Sequence, residues 1–122
     1  MTAVGVGLRP GVPAAALVEL LRRVAGEHDL DLARAVVATL DRRAGEPGLL
    51  QAVAPRIPRG YPAGRLAGVV VPAPSDRVAA ATGTPSVAEA AALLAAGPGA
   101  VLVVPKTAGR GVTVAVARAA AP

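Results

Sequence analysis

The sequence has no cysteine, no tryptophan and no phenylalanine, and it carries a single tyrosine (Tyr61), a single histidine (His28) and a single lysine (Lys106). Without cysteine there can be no disulfide, no thiolate nucleophile and no zinc–sulfur site. One histidine cannot assemble a histidine-based metal centre, so neither a resident metal nor another cofactor is expected. Scarce aromatics remove the stacking platforms that hold single-stranded nucleic acid, and the arginines are scattered, with no run longer than Arg22-Arg23 or Arg42-Arg43. Nucleic acid is therefore not the expected partner. No uninterrupted apolar stretch approaches the roughly 18 residues of a membrane-spanning helix, and the opening MTAVGVGLRP has no basic segment leading into an apolar one. The expectation is a soluble, cytoplasmic protein with no membrane partner.

What is present bounds the fold. A chain of 122 residues suits one domain, spanning residues 1–122, and 53% hydrophobic content is ample for a core. Thirty of the residues are alanine, so the core must be built from Val, Leu and Ala, with helices lying close on a sheet. Abundant Ala and Arg is also what a GC-rich genome produces, which makes the lone Lys106 more informative than any one arginine. The net charge of +5 and pI near 11.3 point to an acidic partner. Scattered arginines suit a small polyanion better than a polymer.

Thr2–Gly7 reads as a short apolar strand ending in glycine. Pro10-Gly11 breaks the chain, Pro13 starts a helix, and Leu17, Leu20, Leu21 and Val24 follow at helical spacing to about His28. Ala35–Leu40 reads as a buried strand, Asp41–Gly45 as a loop, and Glu46-Pro47 as the opening of a short helix through Ala54. A proline- and glycine-punctuated stretch then holds a short strand near Ile57, a brief helix near Leu66 and an extended segment at Val69–Val71. Ser75 can cap a helix over 76–82. Ser86 and Glu89 match the S-x-x-E capping box of a helix running to Gly97. Ala100–Pro105 and Gly111–Arg118 read as a hairpin with a five-residue loop. The expected fold class is α/β: a single three-layer domain, a mixed β-sheet with helices on both faces and a C-terminal β-hairpin.

Four loop groups carry the candidate chemistry. Gly5, Gly7, Arg9 and Gly11 form a glycine-rich strand-to-helix turn, able to present backbone N–H groups and one guanidinium to an anion, or simply a tight turn. As a dinucleotide fingerprint it fails, because its third glycine is displaced and Pro10 intervenes. Asp41, Arg43 and Glu46 follow the C-terminal end of a buried strand, where ligands bind in open α/β sheets. Their plainer reading is a turn former and a carboxylate at a helix start. Ser75, Thr82, Gly83 and Ser86 form a hydroxyl-rich stretch that capping alone could explain. Lys106 and Arg110 sit beside Gly109 and Gly111 at the hairpin, suited to a carboxylate or phosphate, or merely solvated. His28 reads as a solvated helix-end residue. No catalytic triad or paired-carboxylate spacing is legible, so the residues alone suggest a binding domain.

Taken together, GVGLRPG at 5–11, TLDRRAGEPGLL at 39–50, PSDRVAAATGTPSVAEAAALL at 74–94 and VVPKTAGRGVTVAVAR at 103–118 resemble the cobalamin-biosynthesis family of CobE and the C-terminal domain of CbiG. The pieces occur in the family's order along nearly the whole chain. Two departures stand out: Leu8 replaces the family's usual cysteine, and Arg43 replaces its lysine. The first removes thiol chemistry from that loop, and the second keeps the charge while making proton transfer there unfavourable.

The resemblance implies a role in making the corrin ring of vitamin B12. It implies a corrinoid intermediate as partner, with other enzymes of that route as further candidates. It also implies a substrate-binding set of Gly5, Gly7, Arg9, Thr39, Asp41, Arg43, Glu46, Ser75, Thr82, Gly83, Ser86 and Lys106. Full-length CbiG proteins are linked to opening the ring-A lactone of cobalt-precorrin-5A with loss of acetaldehyde. If this chain is an enzyme of that type, Asp41 or Glu46 is its acid/base. Arg42 and Arg43 beside them make a carboxylate a poorer proton acceptor, which favours an auxiliary or delivery role over hydrolysis.

Overall fold

Large and small residues alternate along the central strands, and that alternation decides which helices can cover each face. In β1 (Thr2–Leu8) the sequence runs Ala3-Val4-Gly5-Val6, and in β5 (Val112–Arg118) Val114-Ala115-Val116-Ala117. Successive strand side chains point to opposite faces. The pairing Ala3↔Ala117, Val4↔Val116, Gly5↔Ala115 and Val6↔Val114 therefore collects the valines on one face and the small residues on the other.

The computed structural model describes residues 1–70 and 86–119. Between β1 and β5 come α1 (Ala14–His28), β2 (Val36–Leu40), a single 3-10 turn (Asp41–Arg43), α2 (Pro47–Val53), β3 (Arg59–Tyr61), α3 (Ala63–Ala67), α4 (Val87–Ala96) and β4 (Val101–Ala108). The sheet order is β3-β2-β1-β5-β4. β1, β2 and β3 are parallel, whereas β5 runs antiparallel to β1 and β4 antiparallel to β5. This is the mixed α/β sheet with its C-terminal strand pair that the sequence predicts.

On the valine face, Val4, Val6, Val37, Val114 and Val116 pack with Leu17, Leu20 and Val24 of α1 and Leu49 and Val53 of α2. On the other face, Ala3, Ala38, Ala115 and Ala117 meet the alanines of α4, with Leu66 of α3 alongside. An alanine helix on an alanine-and-glycine sheet surface brings backbones unusually close. A Cβ built on Gly5 would collide with the Ala88 carbonyl oxygen and lie 2.6 Å from the Ala92 nitrogen. Such contact replaces the large side chains that this sequence lacks with dense packing of small ones.

Boundaries differ from the sequence reading in a few places. Pro13 is the N-cap of α1 rather than its first residue, and α1 ends where Asp29 takes a left-handed conformation at φ 52°. The strand near Ile57 begins at Arg59; Ile57 itself is exposed. Val69 and Val70 belong to no strand. Val71, the Ser75-capped helix and the candidates Ser75, Thr82 and Gly83 lie outside the described residues. The hairpin loop is shorter than five residues, because β4 continues to Ala108 through Pro105 and Lys106. Pro105 has no N–H to give to a ladder, and β4 accommodates it with register shifts between Leu102 and Thr107. The chain then turns through Gly109, Arg110 and Gly111, the last at φ 70°.

Arg56, which the sequence reading passed over, holds this scaffold together. Its guanidinium donates to the carbonyls of Leu32 (2.7 Å), Ala35 (2.9 Å) and Val53 (3.3 Å), tying the approach to β2 to the end of α2.

Candidate functional site

Because β1, β2 and β3 are parallel, their C-terminal ends share one edge of the sheet. The antiparallel pairing Leu8↔Val112 brings the β4–β5 turn to the same edge. Helices α1, α2 and α3 start there, since each follows a parallel strand. α4 starts there too: a Cβ built on Gly7 would lie 3.9 Å from the Ala88 nitrogen. Along this edge run Gly60 and Tyr61 of β3, then Asp41 after β2, Arg9 after β1, the Gly109–Gly111 turn, and Lys106 on the outer strand β4.

Direct bonds join these loops. The Arg9 N–H donates to the Gly111 carbonyl at 3.0 Å, which sets Arg9 against the hairpin turn. The Gly11 N–H donates to Glu46 Oε1 at 2.8 Å, so the first and second loop groups are physically latched. Asp41 lies over Gly60, where a Cβ would come 2.8 Å from the Asp41 Cα. On α1, Arg23 donates to the Ala108 carbonyl (3.0 Å) and pairs with Glu27 at 3.8 Å, bracing the hairpin from behind. Arg9, Asp41, Arg42, Lys106 and Arg110 are exposed, and Arg43 and Glu46 are partly so. Among the described residues of this edge, exposed basic groups outnumber exposed carboxylates, giving it the charge that attracts a polyanion.

Two candidates fall inside the protein instead. Gly5 lies beneath α4, and its missing side chain serves packing. Thr39 is wholly buried, and its hydroxyl donates to the Val6 carbonyl at 2.6 Å, stitching β2 to β1. Gly7, Arg9, Asp41, Arg43, Glu46, Ser86 and Lys106 do share the edge. Glu46 is the N-cap residue of α2 but makes no side-chain bond to its own helix; its oxygen goes to the neighbouring loop.

Tyr61, the only Phe, Tyr or Trp side chain in the sequence, ends β3 at this same edge, and no local motif marks it as a site residue. The Arg65 guanidinium lies 5.3 Å from its ring centroid. A different concavity, a cleft of about 830 Å³ lined by Arg65, Val69, Leu94 and Pro98, opens by the C-terminal end of α4. Among the described residues no cluster of His, Asp or Glu could hold a metal ion, and no helix is long and apolar enough to cross a membrane.

The Ser86 N-cap is present, but Glu89 returns to the serine hydroxyl rather than to the N-cap backbone N–H that a capping box would engage, and it makes an added connection. Ser86 Oγ accepts from the Glu89 N–H at 3.0 Å and donates to Glu89 Oε1 at 3.2 Å. Glu89 Oε2 accepts the backbone N–H of Lys106 at 3.3 Å. Glu89 is only 5% exposed. Glu89→Ala is expected to destabilise the fold by about 2 kcal/mol, since it removes a cap partner and strands a backbone donor. Urea unfolding measures it; an unchanged midpoint would contradict the assignment.

Comparison with known proteins fits this architecture. Residues 2–117 match the family described as "Cobalamin synthesis G C-terminus". No curated protein sequence matches the chain. Among solved structures, the chain is 32% identical to the cobalamin biosynthesis protein chiG from Agrobacterium tumefaciens str. C58, covering 99% of this chain and 100% of that one with a TM-score of 0.75. It is 34% identical to CobE, a protein from the cobalamin (vitamin B12) biosynthetic pathway, covering 98% of this chain and 91% of that one with a TM-score of 0.77. A cobalamin biosynthesis protein G homolog from Sulfolobus solfataricus shares the fold at 20% identity, covering 99% of this chain but 37% of that one, with a TM-score of 0.71.

Proposed function

The chain belongs to the cobalamin synthesis G C-terminal family, whose business is cobalamin biosynthesis, and on that premise we propose that it binds a polycarboxylate corrin-ring intermediate at the basic edge of its sheet, in an auxiliary or delivery role within the cytoplasm. The observation that supports this most is the convergence of Arg9, Arg43, Lys106 and Arg110 on one edge, with Arg9 fixed against the hairpin by its bond to Gly111. Corrin precursors carry many carboxylates around a flat macrocycle. A row of cations along a sheet edge matches that layout, and charge-assisted bonds to carboxylates are among the stronger ones available to a small domain. Other enzymes of the route are the partners to which such a protein would hand its ligand.

The alternative is a cobalt-precorrin-5A hydrolase, alone or as one piece of a split enzyme, with Asp41 or Glu46 as acid/base. Two features favour binding over hydrolysis. Glu46 already accepts the Gly11 N–H, and Asp41 is exposed to solvent rather than held in the desolvated setting that makes a carboxylate a good base. Incubation of the purified protein with cobalt-precorrin-5A should give a change in corrinoid absorbance on binding but no more than background acetaldehyde. Steady multiple turnover that vanishes in Asp41→Asn or Glu46→Gln would replace the binding reading with the hydrolase.

A further inference from the structure

Glu89 faces the corrin-binding edge from inside the protein, and what it holds there bears on ligand binding. It is a carboxylate buried to 95%, yet no basic side chain lies within ion-pair distance among the described residues. One oxygen serves the N-cap of α4 through Ser86. The other reaches across to the β4 edge strand and takes the backbone N–H of Lys106. That N–H sits in an irregular stretch of β4: the regular pairing with β5 lapses between Val104↔Val116 and Thr107↔Val114, on either side of Pro105 and Lys106. A bulged edge strand leaves backbone groups unpaired and swings its side chains unless something fixes it. Here a helix-borne carboxylate does so, and the residue it fixes is the only lysine in the chain.

We propose that Glu89 is the positioning residue of the binding site, holding the Lys106 backbone so that its exposed ammonium is aimed at a ligand carboxylate. The proposal rests on the corrin-binding reading above. It explains why the carboxylate is used at both oxygens. A helix cap needs one acceptor, and a serine N-cap already satisfies the Glu89 N–H. The second bond contributes nothing further to the cap, but it removes the freedom of the Lys106 backbone. Lysine brings a flexible stem to a single point charge, so a fixed backbone matters more for it than for a forked guanidinium.

The test is a double-mutant cycle on binding, with cobyrinic acid, a stable polycarboxylate corrin, as probe. Wild type, Glu89→Gln, Glu89→Ala, Lys106→Ala and Glu89→Ala/Lys106→Ala are titrated at a temperature where amide NMR spectra show each to be folded. Lys106→Ala should weaken binding about tenfold, the scale of one charge-assisted bond. Glu89→Ala should weaken it by a similar factor, and the double variant no further, because both changes remove one interaction. Glu89→Gln, which keeps one acceptor oxygen, should bind between Glu89→Ala and wild type. The Lys106 amide resonance should move in both Glu89 variants.

Singles whose losses multiply in the double variant would overturn the proposal, as would Glu89→Ala binding like wild type while Lys106→Ala is weak. Either leaves the corrin-binding reading intact. If wild type does not bind the probe, or Lys106→Ala binds as tightly as wild type, the inference falls because the reading beneath it has failed at this residue.

Discussion

Gly5→Ala is expected to lower the unfolding free energy by about 3 kcal/mol or more, among the largest effects of any single methyl group in this protein. The added carbon would collide with the Ala88 carbonyl and lie 2.6 Å from the Ala92 nitrogen. Both are backbone atoms of α4, so no side chain can swing aside; the whole helix must lift. Lifting it opens the face where Ala3, Ala38, Ala115 and Ala117 pack against Ala88, Ala91, Ala92 and Ala95. Those small side chains are too short to refill the gap. Gly26→Ala on the solvent face of α1 is the control: nothing lies within 4 Å of its built Cβ, and the helix should gain about 0.5–1 kcal/mol. Urea denaturation of the two variants checks both signs. A Gly5→Ala loss below about 1 kcal/mol, at the bottom of the range for overpacking, would mean that α4 does not lie directly on β1.

The largest expected effect on ligand comes from removing two cations at once. Arg9→Ala/Lys106→Ala should weaken binding of a corrin polycarboxylate about 100-fold, taking roughly tenfold for each charge-assisted bond and no shared partner between the two. Arg9 lies at the end of β1 and is tied to Gly111, while Lys106 lies on the outer strand. They would therefore meet different carboxylates of a macrocyclic ligand. Arg22→Ala is the matched control. It removes the same charge from the solvent face of α1, and it should leave affinity within about twofold at physiological ionic strength, where screening confines a charge to roughly 8 Å. Equal losses in the Arg22 and Arg9 variants would make the attraction a net-charge effect with no particular site.

Much of this fold was legible because its signals are local. The 3.6 spacing of Leu17, Leu20 and Val24, the Ser86 helix cap and the Val-rich hairpin strands each specify an element from residues close in sequence, and each is present. What was misread depends on distant partners. Gly5 and Gly7 look alike as strand-end glycines, but only Gly5 has a helix backbone pressed on it, and that helix comes from the far end of the chain. Thr39 reads as a hydroxyl at the mouth of a strand, yet Val6 on the neighbouring strand takes its proton.

The hairpin loop is shorter than the sequence pattern predicts, because Pro105 looks like a strand end in sequence but lies inside β4. Among the described residues β4 is the outer strand with no partner on one side, so it tolerates the missing N–H. The sequence pattern points to the loops at 7–11, 41–46 and 106–110 as candidates, and the fold brings these three to one edge. The pattern gives no sign of the buried carboxylate linking α4 to Lys106, since that bond joins a helix cap to a strand bulge.

The central claim is that carboxylates of a corrin are held by the cations of one sheet edge, and an absorbance titration tests it most directly. Purified protein is titrated with cobyrinic acid and, separately, with its fully methyl-esterified form, each across a range of salt concentrations. The ring is the same in both; only the charge differs. The account predicts saturable binding of the acid that weakens steadily as salt rises, and little or no binding of the ester. Equal affinity for acid and ester, flat with salt, would contradict it.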